Sequence, residues 1–334
     1  MTGAPWQRLH DSAIVIDAVC PLASDPDYLE WYRQGGVTAL APTIGSTEGK
    51  GETLTRLAPW HRLLRERDDL LLIRTASDIG VAKATGRLGI YFHFQGTDPI
   101  EDDLDLIDLY KSLGVGMIQL AYNRRNRVGD GCEESSDAGL SRFGCKLVER
   151  LNAARIIVDC SHTGQRTAMQ AVERSAAPVV LSHSNVAAIH ATPRNVSWDL
   201  IDAIAQSGGV IGVVAFPGLV AADPRPSIDQ LIVHIDALVG RVGVDHVGLG
   251  LDYYSMQAGV ASDDDALATY EQALCEGIWT SAYPKPPHHY PQGMEIPSKL
   301  SELTRQLSLH GYTEKEIRKI LGENWLRIMK MVWG

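Results

Sequence analysis

The chain has 334 residues, of which 45% are hydrophobic and 22% are charged, and its formal net charge is -10. Length alone allows one large domain or two ordinary ones, and the apolar share excludes a disordered chain because it can build a sizeable core. The acidic balance gives no general attraction to phosphate backbones or anionic lipid. Nucleic acid and membranes are therefore not expected partners.

The cysteines and the N-terminal residues indicate the cellular compartment in which the protein is expected. The five cysteines are odd in number and widely spaced, and they include no CxxC pair. This spacing argues against a disulfide framework or a zinc ribbon and favours a reducing compartment. The N-terminal residues lack a basic start followed by an apolar stretch, and no run approaches the roughly 18 apolar residues of a membrane span. We expect a cytoplasmic protein.

Short runs rich in Val, Ile and Leu alternate with stretches of helical periodicity. The nine apolar runs begin, in chain order, at Ile14, Val37, Leu70, Leu88, Val115, Arg155, Pro178, Gly209 and His246. Continuous apolar strands separated by helices are typical of a parallel sheet that is covered on both faces. Nine strands fit a closed (β/α)8-barrel of the TIM type, an α/β fold, with one extra strand.

The domain organisation follows from the continuity of this alternation. No linker, low-complexity tract or solenoid repeat interrupts it, so residues 1–334 are predicted to form a single domain. Segment 279–297 is rich in proline and aromatic residues and is predicted to be an ordered irregular loop near the barrel mouth. Segment 298–334 is predicted to form two or three closing helices. We expect the loop to cap its own barrel mouth; a homodimer, in which it caps a neighbour's mouth, is the alternative.

Polar residues stand where several of the strands end. They are Gln95, Tyr122, Asn123, His162, His183 and Asp252. In a parallel barrel the carboxyl ends of the strands converge on one mouth, so these side chains should lie close together. Two imidazoles and one carboxylate are a common zinc set, because neutral nitrogen and hard oxygen donors suit that metal. A lone histidine is more often a satisfied core residue, but two at equivalent strand ends favour a metal site.

Two other histidines are open to two interpretations. His93 lies two residues before Gln95, where either the barrel lumen or a packed position is expected. His288 lies in the Pro-rich loop, and a surface position is favoured over a place in a substrate lid.

Four segments resemble the successive motifs of the membrane (renal) dipeptidase family: VDCSHTG, VVLSHSN, TPRNV and VGLGLDY. The resemblance continues through LGVGMIQLAYNRRNRVGDG and AGLSRFGCKLVERLN, and it extends into the C-terminal GYTEKEIRKILGENWLRI. It therefore covers nearly the whole chain in order. It implies a (β/α)8-barrel that typically holds two zinc ions, which activate a bridging water to cleave dipeptides.

The resemblance also implies roles for individual residues. His162 and His183 would ligate one metal. Asp252, after the last barrel strand, would touch the metal or accept a proton from water. Arg194 would grip the terminal carboxylate of the substrate, since the guanidinium fork matches two oxygens. Asn123 is expected among the substrate-binding residues.

The chain departs from the family pattern in the other half of the site. The family's first strand ends in Asp-x-His-x-Asp, but here Asp17 is followed by Val19 and Pro21 at the two later positions, and neither can bind a metal. The family's bridging glutamate falls on Gln95, which is neutral and a poor bridge between two cations. The histidine that assists the tetrahedral intermediate falls on Tyr122, whose hydroxyl can still donate a hydrogen bond.

These departures limit the number of metal ions. Two divalent cations would face only Asp252 and Asp17 as nearby anions, and burying so much uncompensated charge is costly. We therefore expect at most one ion, and zinc by ligand type. It would bind at His162 and His183. Asp252 or Gln95, together with water, would complete the coordination.

Two functions remain open on the sequence. The first is a hydrolase that cleaves a dipeptide or a related acidic or zwitterionic amide with a metal-activated water. In it Asp252 acts as general base and Tyr122 stabilises the oxyanion, while Arg194 holds a substrate carboxylate. The second is a barrel that has lost hydrolysis and binds a small ligand or performs metal-free chemistry. The metal content distinguishes the two.

Overall fold

The computed structural model describes residues 4–334, so the first three residues of the predicted domain lie outside it. Ten parallel strands form the centre of the fold. They are β1 (Ile16–Cys20), β2 (Ala39–Gly45), β3 (Leu70–Leu72), β4 (Leu88–Ile90), β5 (Phe92–Phe94), β6 (Val115–Gln119), β7 (Ile157–Asp159), β8 (Val179–Val180), β9 (Ile211–Val213) and β10 (Val247–Leu249). All nine predicted runs contain a strand, and the run from Leu88 contains two.

Fourteen α-helices lie along residues 4–334. They are α1 (Pro5–Ser12), α2 (Leu29–Gln34), α3 (Lys50–Glu66), α4 (Ala76–Thr85), α5 (Leu106–Ser112), α6 (Arg142–Ala153), α7 (Gln165–Arg174), α8 (Trp198–Gln206), α9 (Pro217–Val220), α10 (Ile228–Val242), α11 (Asp263–Cys275), α12 (Ser301–Leu309), α13 (Glu314–Arg318) and α14 (Asn324–Val332). Helix α11 is absent from the sequence prediction, because its run of three aspartates and scattered apolar residues carries weak periodicity.

The strands close into a barrel. Their order is β8-β7-β6-β5-β2-β1-β10-β9. Strand β4 directly precedes β5 in the chain and, like β5, pairs with β2. A parallel bridge from Leu181 to Ile211 joins the two ends of this order, with the Gly212 amide donating to the Leu181 carbonyl at 2.7 Å. Strand β3 pairs with β4 outside the ring. The predicted (β/α)8-barrel of the TIM type with one extra strand is confirmed.

The helices form because their apolar residues recur on one face and their ends are capped. Helix α10 begins with a capping box between Ser227 and Gln230 and buries Leu231, Ile235 and Leu238, which are spaced three or four residues apart. This face packs against the barrel, as expected for an amphipathic helix. No helix within residues 4–334 has the length and apolar character that would let it cross a membrane.

The C-terminal segment packs against two strands of the barrel, β10 and β6. The indole N–H of Trp325 donates to the Leu249 carbonyl at 2.9 Å, and that of Trp333 donates to the Gly116 carbonyl at 3.1 Å. Helices α12, α13 and α14 lie in this segment. The Pro-rich loop precedes it and contains neither helix nor strand from Thr280 to Ile296.

Candidate active site

A cavity of about 450 Å³, including its opening, lies at the carboxyl ends of the strands. Five of the seven predicted site residues line it: Gln95, Tyr122, His162, Arg194 and Asp252. His183 and Asn123 are fully buried behind this surface. The barrel thus brings together side chains that are up to 157 positions apart in the sequence, as convergence of the strand ends requires.

Three of these residues have a left-handed backbone. The φ angles are 58° at Asn123, 59° at His162 and 57° at Asp252. A residue with a Cβ atom disfavours this region by about 1–2 kcal/mol, so the surrounding structure must hold it there. Each kink lies just after a strand and turns the side chain toward the barrel axis. Within residues 4–334, Glu101 and Arg155 also have a positive φ, so this conformation is not confined to the cavity.

The two histidines face each other through their Nε2 atoms, which are 2.8 Å apart. The Nδ1 atom of His162 is 2.6 Å from the Asn123 Oδ1 atom, and the Nδ1 atom of His183 is 2.7 Å from the Ser182 hydroxyl oxygen. The Ser182 hydroxyl in turn donates to Asp159 at 2.5 Å. Both Nδ1 atoms therefore have a partner that accepts a proton.

These partners determine the tautomer of each ring. Because the Asn123 amide oxygen only accepts, the proton of neutral His162 is on Nδ1; because Ser182 donates to Asp159, it accepts from Nδ1 of His183. Burial lowers the pKa of both histidines well below the usual range, and the charge of Arg194 lowers it further. Two neutral rings thus direct bare Nε2 lone pairs at each other.

Such a pair of lone pairs is repulsive unless a cation lies between or beside them. The low pKa values disfavour a proton in that place. Neutral imidazole nitrogen is a good zinc ligand, and two nitrogens bound to one tetrahedral ion at about 2.0–2.1 Å would be roughly 3.3 Å apart, close to the separation seen here. His162 and His183 therefore fit one metal ion.

The carboxylate side chains do not form a metal site of their own. Within residues 4–334, no group of three or more His, Cys, Asp or Glu side chains is arranged to hold a metal ion. Asp252 and Gln95 both line the cavity, and Gln95 donates to the Thr43 hydroxyl oxygen at 3.3 Å. Burial raises the pKa of Asp252 to about 7, against the opposing charge of Arg194.

The side of the mouth formed by β1 does not fit a metal. Val19 is fully buried in the core, and Pro21 lines the cavity with an apolar ring. Asp17 accepts the Leu251 amide at 2.9 Å through Oδ1, while its buried Oδ2 has no partner. Burial raises the pKa of Asp17 to about 7. Neutral Gln95 adds no charge, so the donor set of a second metal ion is missing.

Arg194 brings a buried positive charge to the cavity. Only 3% of its surface is exposed, and one Nη atom donates to the His183 carbonyl at 3.1 Å. Its Nε atom is buried without a hydrogen-bond partner. A guanidinium with unused donors at a cavity wall suits an anionic ligand, because the planar fork matches two carboxylate oxygens.

Tyr122 is held between the site and the Pro-rich loop. Its ring stacks on His162 with 4.2 Å between centroids. The indole N–H of Trp279 donates to its hydroxyl oxygen at 3.2 Å. The hydroxyl proton remains free to donate, and burial raises the pKa of this phenol above its usual range, so it stays protonated. Trp279 and Tyr283 stack in parallel with 4.8 Å between centroids, and both line the cavity.

Asn123 occupies a different place from that expected of a substrate-binding residue. It lies behind His162, accepts the Nδ1 proton of that ring, and donates to the Ile278 carbonyl at 3.2 Å. His288 is 2% exposed and packs against Phe216 with 4.9 Å between ring centroids, so the surface position favoured on sequence is wrong.

Sequence reasoning missed the buried network beneath the histidines. Asp159 accepts from Ser182, and its Oδ2 atom is 3.1 Å from Nε2 of His93, which lies in the lumen. Burial alone would raise the pKa of Asp159, but His93, above all, and Ser182 lower it to about 2. A usable signal was present, since an aspartate within the apolar run IIVDC needs a partner inside a barrel.

A closed (β/α)8-barrel with paired histidines, an arginine and a carboxyl group at the carboxyl ends of its strands is the construction of metal-dependent barrel hydrolases. The profile of the family described as membrane dipeptidase (peptidase family M19) matches residues 37–282 and 280–333. This chain belongs to the membrane dipeptidase family, and it resembles metal-dependent hydrolases over nearly its whole length.

Individual relatives agree with this assignment. An amidohydrolase from Pseudomonas aeruginosa superposes with a TM-score of 0.89 at 31% identity, over 99% of this chain and 100% of that one. The dipeptidase verJ of Clonostachys rogersoniana is 26% identical over 84% of this chain, which spans 65% of that protein. A metallopeptidase from Rhodobacter sphaeroides, liganded with a phosphinate mimic of L-Ala-D-Ala, shares the fold with a TM-score of 0.79 at 21% identity, over 96% of this chain and 100% of that one.

Proposed function

We propose that this chain hydrolyses an amide bond in a small carboxylate-bearing substrate, of the dipeptide or a related type, at a site with one zinc ion. The observation that carries the proposal is the pair of bare Nε2 atoms of His162 and His183, 2.8 Å apart. Both nitrogens are neutral donors, which zinc prefers. Asp252 or Gln95 and water would complete the coordination.

The cation supplies two kinds of chemistry when bound: it polarises a carbonyl group and lowers the pKa of water. The chain supplies the rest. Asp252 lies at the cavity wall beside Gln95 and is placed to take a proton from the attacking water and pass it to the leaving nitrogen. Such a general base works best when its pKa lies near the operating pH.

Arg194 and Tyr122 bind and orient the substrate. The free donors of Arg194 hold the substrate carboxylate and so fix the position of the amide bond. The Tyr122 hydroxyl accepts from Trp279 at 3.2 Å, which leaves its proton directed to the oxygen that becomes negative during attack. Trp279 and Tyr283 cover the cavity and exclude bulk water, which strengthens these interactions.

Elemental analysis of protein purified without chelator tests the proposal. We expect close to one equivalent of zinc per chain and hydrolysis of at least one carboxylate-bearing amide, lost after chelation and restored by zinc. Two equivalents would contradict the single ion. No metal would remove the hydrolytic mechanism and favour a ligand-binding barrel.

The compartment and the assembly remain proposals. All five cysteines are free thiols, which suits the reducing cytoplasm that the sequence predicts. The loop residues Trp279 and Tyr283 line the cavity of their own chain, which supports a lid that acts within one subunit rather than a lid exchanged in a homodimer.

A further inference from the structure

The walls of the cavity carry few charged side chains. Among the lining residues within 4–334, Arg194 supplies the cationic side chain and Asp252 is the sole acid. Most of the remaining wall is apolar or aromatic, with Phe216, Leu219 and Trp279 among its members. The substrate carboxylate has a partner in Arg194. An α-ammonium group on the other side of the amide bond would have Asp252 alone.

Asp252 is not free to pair with that ammonium group. It lies beside Gln95, within range of the charge of Arg194, and in the proposed reaction it must also accept a hydrogen bond from the attacking water. An ammonium salt-bridged to Asp252 would compete with that water for the same two carboxylate oxygens. A zwitterionic dipeptide would therefore occupy the position that the water needs.

The aromatic walls do not replace the missing anion. One face of Trp279 stacks on Tyr283, and one face of Tyr122 is covered by His162. A cation–π contact with the faces that remain is weak relative to the cost of removing an ammonium from water, and Arg194 repels it inside the same cavity. An uncharged acyl chain gains from contact with Phe216 and Leu219 instead.

Glu133 is the other acid near Arg194. The charge of Arg194 acts on its carboxyl group, and burial raises its pKa. It is not among the residues that line the cavity, and it lies on the loop that also hydrogen-bonds the main chain of Asn123. Among the residues that line the cavity, Asp252 is therefore the acid that a substrate ammonium would meet.

We infer that the preferred substrates are N-acyl amino acids with an uncharged, apolar acyl group, rather than dipeptides with a free α-ammonium. This inference rests on the proposed hydrolytic function and specifies its substrate class. Water adds to the acyl carbon, the C–N bond breaks, and the nitrogen takes a proton. The products are the acyl carboxylate and the free amino acid, so no co-reactant is needed.

A matched pair of substrates tests the inference. Propionyl-alanine and alanyl-alanine have the same carbon skeleton and differ by the replacement of the α-ammonium with hydrogen. With zinc-loaded protein, and with both enantiomers of the C-terminal alanine, we expect kcat/KM to be at least about tenfold higher for the propionyl compound, a difference of about 1.4 kcal/mol. Glu133→Gln should leave this ratio unchanged.

A binding measurement separates recognition from turnover. On His183→Ala, calorimetry should show tighter binding of propionyl-alanine than of alanyl-alanine, and Arg194→Gln should weaken both. Equal or better hydrolysis of alanyl-alanine would overturn the inference while leaving the proposed function in place. So would a selective loss of alanyl-alanine hydrolysis in Glu133→Gln. Hydrolysis of neither compound nor of any other carboxylate-bearing amide would overturn the proposed function, and the inference with it.

Discussion

The two sides of the barrel mouth differ in how completely their polar groups are satisfied. On the β7–β8 side, His162 and His183 each have an Nδ1 partner, and the chain of contacts continues to Asp159. On the β1 side, Asp17 keeps one buried oxygen without a partner, and Val19 is apolar. One side is organised to present two lone pairs to a cation. The other has a buried aspartate without metal-ligand side chains beside it.

This comparison shows that a metal site depends on more than its ligands. The β7–β8 side has two imidazole side chains together with the groups that orient them, and loss of such groups typically weakens metal binding. The β1 side has a buried carboxyl group, but the neighbouring side chains are not metal ligands. There Val19 packs in the core and Pro21 forms part of the cavity wall.

The largest expected effect is on the β7–β8 side. His183→Ala should abolish zinc binding and hydrolysis, because it leaves one nitrogen donor. Val19→Ala is the control on the opposite side and should keep close to one equivalent of zinc. Elemental analysis of both purified variants provides the measurement. Zinc retained by His183→Ala, or lost from Val19→Ala, would reverse the assignment of the two sides.

The second prediction concerns rebuilding the β1 side. The combined variant Val19→His, Pro21→Asp and Gln95→Glu restores the residue types that the family has at these positions and adds the anionic charge that a second cation needs. We expect its zinc content to rise to about two equivalents per chain. Near-native circular dichroism would show that the variant folds. A folded variant that still binds one equivalent would mean that more than these three side chains separates the two sides.

A smaller effect is expected from the groups that orient the histidines. Ser182→Ala removes the acceptor of the His183 Nδ1 proton and should weaken zinc binding by about 10- to 100-fold, the usual result of losing such a partner. Ser184→Ala is a matched control, because Ser184 lies near by, is buried, and has an Oγ atom without a hydrogen-bond partner. Competition with a chelator measures both affinities. Equal affinities in the two variants would remove the role given to Ser182.

The fourth prediction is a pH-dependent change in stability at Asp17. Its pKa is about 7 in the folded chain, against an ordinary value of 3.8, so the folded state binds more protons between these values. Stability contributed by this group is therefore lost as the pH rises through that window, up to about 4 kcal/mol. Asp17→Asn should be more stable than the parent at pH 8 and similar to it at pH 4, measured by urea unfolding of chelated protein.

Asp202→Asn is the control for this effect. Asp202 pairs with Arg241 on the surface, and that hydrogen bond lowers the pKa of its carboxyl group. Its removal should change stability slightly and in the opposite direction, since a charged form stabilised by folding contributes more as the pH rises. If Asp17→Asn shows no gain between pH 4 and pH 8, Asp17 does not carry the buried charge described here.

Much of the barrel could be predicted from the apolar runs in the sequence. Apolar runs at Val115 and Arg155 predict buried parallel strands because no polar face is needed when helices cover both sides. The placement of His162 and His183 at strand ends follows from the same pattern. The break at Tyr91, which divides one run into β4 and β5, was not predictable, since the periodicity is continuous across it.

The residues around the site were harder to predict. The partnership of Asn123 with His162 depends on a left-handed turn at both residues, and the contact of Trp279 with Tyr122 joins positions 157 residues apart. Neither contact leaves a local pattern in the sequence, because both depend on the closure of the barrel and the path of the loops. Asn123 was therefore expected at the substrate, whereas it lies behind the histidine.

The sequence by itself determined the class of fold, the strand ends that carry polar groups, and the absence of ligand types at Val19 and Pro21, since side-chain chemistry and periodicity are local properties. Only the tertiary structure decided that the two histidines meet through bare Nε2 atoms. It also decided that Arg194 and Asp252 share one small cavity and that the Pro-rich loop lines it. These facts depend on distances across the barrel, which are set by closure and packing of the whole chain.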